Sequence, residues 1–304
     1  MRIDVHQHIW SAPLLDALAA RRTLPYVARD DGLAVLHCAG ELPYVIDVAA
    51  EAPARRTAQL ATDGVDRALV ALSSPIGIEA LDRESAAPLI EAHLEGVGAL
   101  AERFGAWGPV ALDQPDPGDV DRLLARGCVG ISIPAGALSR PEDLAAVGPL
   151  LERVSELGAP LFVHPGYGRG QRAPEVPLTE PLWWRAMTDY VAQMQEAWLT
   201  FATQGRREHP ELVIVFAMLA GGAPLHGERL ATRGGPPVEL RDPSVFYDTS
   251  SYGPIAIEEM ARLVGAAQLV YGSDRPVVEP VPTGREAWLQ ANAARLLAPV
   301  KSAA

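Results

Sequence analysis

Arg2-Ile3-Asp4-Val5-His6-Gln7-His8 decides between two parallel α/β architectures open to a chain of 304 residues. The β-branched run from Ile3 to His6 reads as a strand. In a doubly wound open sheet a Gly-rich phosphate loop would follow it, but His6-Gln7-His8 stands there instead. Strand side chains alternate faces, so His6 and His8 share one side, which a closed barrel can turn inward. Seven further apolar runs follow: Ala68–Leu72, Gly108–Leu112, Val129–Ile133, Leu161–His164, Leu212–Ala217, Val245–Thr249 and Leu269–Gly272. Helix candidates lie between them at Asp82–Phe104, Pro141–Leu157, Leu182–Thr203, Ile255–Val264 and Arg285–Leu297. Eight such units close into a (β/α)8 TIM barrel, and residues 1–304 are expected to form one domain. Two connections are long. Residues 9–66 carry a hairpin signal near Asp30-Asp31-Gly32, and 165–210 are rich in Trp, Arg and Pro; both are candidate lids.

With 48% hydrophobic and 21% charged residues, the chain has an ordinary globular composition. Its formal charge of -12 repels phosphate backbones and anionic lipid, which argues against nucleic acid or membrane partners and for a small-molecule substrate. Two cysteines, Cys38 and Cys128, are too few for a disulfide framework, so reduced thiols and a cytoplasmic location are expected. The N-terminus lacks a basic region followed by a long apolar run, and the most apolar segment, Leu212 to Leu225, is broken by Gly221-Gly222 and too short to span a bilayer.

His164 ends the fifth strand in Leu161-Phe162-Val163-His164-Pro165, and Asp274 follows the eighth in Tyr271-Gly272-Ser273-Asp274. Alone, the His6/His8 pair reads as satisfied polar groups, His164 as a strand cap and Asp274 as a helix N-cap. Together they come from the C-terminal ends of strands one, five and eight, where a barrel presents chemistry rather than packing. Three imidazoles and a carboxylate at one rim suit one divalent metal ion, Zn in the first place and Mn in the second.

The series Ile3-Asp4-Val5-His6-Gln7-His8, Val163-His164-Pro165-Gly166, Gly221-Gly222, Tyr271-Gly272-Ser273-Asp274-Arg275-Pro276 and Ala291-Asn292-Ala293-Ala294-Arg295-Leu296 resembles the amidohydrolase-related branch of the amidohydrolase superfamily. That branch includes decarboxylases similar to aminocarboxymuconate-semialdehyde decarboxylase and metal-dependent lactonases. The resemblance implies that His6, His8, His164 and Asp274 are metal ligands. It also exposes a departure: where the branch carries a His two residues before the Gly-Gly of the sixth strand, this chain has Leu219, which neither ligates nor moves a proton. Bimetallic members bridge two ions with a carbamylated lysine on the fourth strand. Here that strand ends Ser132-Ile133-Pro134 and the only lysine is Lys301, so a single ion is implied. His226 falls about a turn into the following helix, directed away from the mouth. His37, His93 and His209 read as surface or hairpin histidines, of which His37 alone could reach the site from the lid.

The leading expectation is a metal-dependent hydrolase of a lactone, ester or amide, with metal-activated water and with Asp274 and His164 as catalytic residues. A decarboxylase of an aromatic or unsaturated acid is the alternative, and it needs another proton donor. A barrel that acts as a binding or partner subunit is the third reading. Arg169, Arg172, Arg185, Trp183 and Trp184, in the connection after strand five, and Arg275 are candidates for holding a carboxylate or a ring. Dimers are common among the proteins resembled, so a homodimer is expected by analogy.

Overall fold

β-Branched and apolar residues cluster in short runs, and each run becomes one stave of a parallel sheet. The computed structural model describes residues 1–30, 33–282, 284 and 286–298. Asp31, Gly32, Arg285 and Lys301 therefore lie outside the described residues. In chain order the strands are β1 (Ile3–Gln7), β2 (Tyr26–Asp30), β3 (Leu33–His37), β4 (Tyr44–Asp47), β5 (Arg67–Val70), β6 (Phe104–Pro109), β7 (Gly130–Pro134), β8 (Leu161–His164), β9 (Ile214–Phe216), β10 (Val245–Asp248) and β11 (Leu269–Val270). The helices are α1 (Ala12–Ala19), α2 (Pro53–Thr62), α3 (Arg83–Gly98), α4 (Pro117–Ala125), α5 (Pro141–Glu156), α6 (Trp184–Met187), α7 (Asp189–Thr200), α8 (Arg206–Glu208), α9 (Gly227–Thr232), α10 (Pro254–Val264) and α11 (Glu286–Leu296).

Eight strands pair in the order β1-β5-β6-β7-β8-β9-β10-β11, all in parallel. The seam between last and first is closed by backbone hydrogen bonds. Val5 N–H donates to Tyr271 O at 2.8 Å, Asp274 N–H to His6 O at 2.9 Å and His8 N–H to Arg275 O at 2.7 Å. This is the expected barrel, and its closure sets the end of β1 beside the segment after β11.

One strand is displaced from its expected position. The third barrel strand is Phe104–Pro109, not Gly108–Leu112. Gly105 and Gly108 hide the signal, because close packing removes their side chains. A Cβ on Gly105 would lie 3.0 Å from the Arg67 guanidinium, and one on Gly108 3.0 Å from Leu123 Cβ. The expected helix Asp82–Phe104 ends earlier, at Gly98, and its N-terminus is capped by the Asp82 carboxylate, which accepts from Ser85 N–H at 2.9 Å. The expected Leu182–Thr203 helix is two, α6 and α7, followed by a wide turn at Phe201–Gly205.

Residues 9–66 fold as α1, an antiparallel sheet of order β2-β3-β4, and α2. Inside the barrel, Trp107 stacks on Phe162 with ring centroids 5.2 Å apart, and the indole donates to Val5 O at 2.9 Å. Both rings are fully buried, and burying a phenylalanine contributes about 1.5–3 kcal/mol. They form a floor beneath the histidine rings: Phe162 lies 5.1 Å from His6. Among the described residues no helix is long and apolar enough to cross a membrane, and both cysteines are free thiols.

Candidate metal centre

His6 and His8 leave β1 on the same face, His164 is the last residue of β8, and Asp274 lies four residues past β11. The structure brings all four together: each offers a donor atom, and these atoms lie within 4.8 Å of one another. The three imidazole centroids are each 4.9 Å from the other two, with interplanar angles of 88–90°. Three mutually perpendicular rings present their edges, not their faces, to a common point.

The Nδ1 atoms fix which edge. His8 Nδ1 bonds Ala71 O at 2.8 Å and His164 Nδ1 bonds Pro165 O at 2.9 Å. A carbonyl only accepts, so both nitrogens carry the proton. His6 Nδ1 bonds the Asp248 carboxylate at 2.8 Å and donates likewise. With Nδ1 as the donor, the neutral form of each ring, the form that binds a metal, turns an Nε2 lone pair inward. His6 Nε2 and His8 Nε2 are 3.1 Å apart, and Asp274 Oδ1 is 3.2 Å from His8 Nε2 and 3.6 Å from His6 Nε2. Lone pairs this close repel unless a cation or a proton lies among them. The donor set fits a divalent ion, with second-layer bonds of the kind that orient metal-binding histidines.

Electrostatics agree with a site built for positive charge. Burial opposes a charge on His6, yet Asp248, Asp274 and Asp4 outweigh it and push its pKa up to about 9. His164, buried and beside the two other histidines, is driven well below its usual value. Asp248 would be raised by burial, but His6 and the Ser250 bonds hold it below the usual carboxylate range.

Asp274 adopts a left-handed backbone, φ 58°, a conformation that costs a non-glycine residue on the order of 1–3 kcal/mol. The backbone around it is tied down. Asp4, fully buried, accepts from His6 N–H at 3.1 Å, Ser273 N–H at 3.0 Å and Gln7 Nε2 at 2.8 Å, joining both sides of the seam. Arg56 donates to His8 O at 2.9 Å and to Gln7 Oε1 at 3.0 Å. Asp248 and Asp4 were invisible to a search for ligands, although Asp248 carried a signal: it ends its strand, at the rim where β1 and β8 place their histidines.

Leu219 is buried hydrocarbon in a left-handed run, Met218 to Gly222, with φ from 44° to 75°. The run is anchored by Met218 N–H, which donates to Asp248 Oδ1 at 3.2 Å. His226 is exposed. His37 stacks on Tyr26 at 4.6 Å within the β2-β3 hairpin. His93 was expected at the surface and is instead fully buried, with neither ring nitrogen hydrogen-bonded. Burial pushes its pKa down to about 3, with a smaller contribution from His8. The signal was present in the spacing: Leu89, His93 and Val97 fall four apart on the inner face of α3. His209 is buried as well.

The candidate substrate residues are dispersed. Arg169 pairs with Asp113 at 2.9 Å, Arg185 with Glu180 and Asp189, and Arg275 with Asp63 at 2.6 Å and Glu279 at 3.0 Å. Arg172 is exposed, and Trp183 and Trp184 are exposed neighbours 5.5 Å apart.

No protein-family model and no curated protein matches the chain. Solved structures match along its whole length. One is Metarhizium anisopliae IDCase in its apo form, at 16% identity and a TM-score of 0.77, covering 98% of this chain and 97% of that one. Another is 5-carboxyvanillate decarboxylase from Novosphingobium aromaticivorans with manganese and 4-hydroxy-3-methoxy-5-nitrobenzoic acid, at 18% identity and 0.68, covering 98% and 96%. A third is 2,6-dihydroxybenzoate decarboxylase from Rhizobium, at 14% identity and 0.64, covering 97% and 98%. At these identities the likeness is one of fold: the closed parallel barrel is shared with them.

Proposed function

We propose that this chain is a metal-dependent decarboxylase of a small aromatic or unsaturated acid, a member of the amidohydrolase superfamily in its decarboxylase branch. Of the two enzymatic readings open to the sequence, the hydrolase came first; the neighbours of the fold now favour the other. The observation that carries the proposal is the convergence of three Nε2 lone pairs and the Asp274 carboxylate on one point, in a barrel shared with decarboxylases.

His6, His8, His164 and Asp274 would hold the ion. Zinc heads the choice for a three-imidazole, one-carboxylate set, and the manganese in one neighbour makes it the second. When bound, such an ion supplies positive charge that anchors an anionic acid and stabilises negative charge developing on it. The protein's own contribution is positioning. Asp248, Ala71 O and Pro165 O fix the three ring orientations, while Asp4 and Arg56 fix the backbone that carries them. Asp274, with 17% of its side chain exposed, is the ligand that an entering acid would meet at the rim.

The test is turnover by protein loaded with zinc or manganese, with metal content measured by mass spectrometry. Release of carbon dioxide from 5-carboxyvanillate, 2,6-dihydroxybenzoate or a related acid, together with one equivalent of metal, is the expected result. Hydrolysis of a lactone and ester panel with no carbon dioxide from any acid would return the hydrolase reading. Inertness on both panels would leave a binding subunit.

A further inference from the structure

The three imidazoles of the site are not held alike. His6 Nδ1 donates to the Asp248 carboxylate at the end of β10. His8 Nδ1 donates to the carbonyl of Ala71, a residue whose own N–H donates to Gln7 O at 2.8 Å and so extends the pairing of β1 with β5. Both acceptors belong to the wall of the barrel. His164 Nδ1 instead donates to Pro165 O, one residue on, where the chain has already left β8. That carbonyl can orient the ring only if its own peptide is held.

The holder comes from a helix. The N–H of the same peptide, on Gly166, donates at 2.8 Å to the side-chain Oε1 of Gln193, a buried residue of α7, 27 residues on. An unbroken chain of hydrogen bonds results, from His164 Nδ1 to the peptide carbonyl and from the peptide N–H to the Gln193 carbonyl. The space beside the peptide is filled. A Cβ on Gly166 would lie 2.7 Å from Ser74 Cβ and 3.0 Å from Pro134 Cβ, and Gly166 O accepts from Gly136 N–H at 2.9 Å.

This bond settles which way the Gln193 amide faces. A peptide N–H needs an acceptor, so Oε1 is turned to Gly166, and Nε2 is left buried without a hydrogen-bond partner among the described residues. A buried donor with no partner is unfavourable, so the position serves the acceptor and not the amide as a whole. A peptide bonded at its N–H is also a stronger acceptor at its carbonyl, because linked hydrogen bonds strengthen one another by roughly 10–30%. Gln193 thus acts on His164 twice, by placing the Pro165 carbonyl and by tightening its hold on the ring.

In an argument that rests on the metal-site reading, we propose that Gln193 is a positioning residue for the metal centre: its side-chain carbonyl holds the peptide that aims His164 Nε2 into the cluster of donors. Gln195 provides a control on the same helix. Its Nε2 donates to Gly221 O at 2.8 Å, which docks α7 on the end of β9 and takes no part in the chain of bonds to His164.

The experiment measures zinc affinity of the full chain by chelator competition, and the visible absorption of the cobalt-loaded protein, for wild type, Gln193→Met, Gln193→Asn, Gln193→Glu and Gln195→Met. Methionine removes the acceptor at similar volume, and asparagine keeps an amide that falls one methylene short. Both variants are expected to bind zinc about 10-fold more weakly, the lower end for residues that support a ligand, and to alter the cobalt bands. Gln193→Glu keeps an acceptor, and its affinity is expected within about threefold of wild type with the cobalt bands retained. Gln195→Met is expected to lose stability toward urea yet keep its zinc affinity within about twofold. Wild type that takes up no zinc overturns the metal-site reading and this assignment together. If wild type binds zinc, the assignment alone is overturned by Gln193→Met or Gln193→Asn within about twofold of it, by Gln193→Glu as weak as Gln193→Met, or by Gln195→Met weakened as much as both.

Discussion

At the ends of β1, β8 and β11, polar side chains are turned toward one another and away from solvent; in residues 165–187 they are mostly exposed, and Arg169 and Arg185 are taken up by carboxylates outside the ligand cluster. His6, His8 and His164 are at most 5% exposed, whereas Trp183 and Leu182 are 59% and 84% exposed. Both regions attract a reader looking for chemistry in the sequence. What separates them is the scaffold. A strand end is fixed by its neighbours on both sides, so a ligand there is aimed before any ion arrives, while a loop arginine takes whichever carboxylate lies near it, Asp113 for Arg169 and Glu180 for Arg185.

Removing a ligand tests the contrast most severely. His164→Ala is expected to weaken zinc or manganese binding by more than about 100-fold, beyond the range for residues that merely support a ligand, as read by chelator competition. Asp248→Asn should fall within that supporting range, about 10–100-fold weaker, with the fold retained by circular dichroism. An equal loss in both variants would mean that Asp248 does more than orient His6.

A buried acid of the rim offers a milder test. Glu79 is fully buried, with one oxygen accepting from Ser74 at 2.6 Å and the other without a partner, and burial pushes its pKa up to about 7. For a carboxyl raised on folding, the protonated form is the one the fold prefers. The penalty is absent below about pH 4.5 and grows as pH rises through 7. Glu79→Gln should therefore gain on the order of 1 kcal/mol over wild type at pH 8 and nothing at pH 4.5, by urea denaturation. In the exposed connection, Trp183→Ala should change stability by no more than about 0.5 kcal/mol; a larger loss would show that the connection is held more firmly than its exposure implies.

The same contrast explains what could be read from residues alone. Strand periodicity and the two-residue spacing of His6 and His8 survive in sequence because a strand's geometry is regular, so the barrel and the converging quartet were both legible. The third strand was misplaced because Gly105 and Gly108, demanded by close neighbours, erase the apolar pattern. His93 was misplaced because a lone imidazole on an apolar helical face was taken for a polar surface. The partners of Asp4 and Asp248 lie across more than 240 residues, so local pattern could mark Asp248 as a strand-end carboxylate but not what either residue holds.

The seam of the barrel also has a kinetic meaning. Asp4 and Ser273, 269 residues apart, share a hydrogen bond at the point where the cylinder shuts, and the ligands stand on either side of it. Contacts of such separation form late, after the intervening loop has been closed. A half-made barrel can hold at most the three histidines, so tight loading should be among the last events of folding, and an ion that arrives then would act as a clasp on the finished ring.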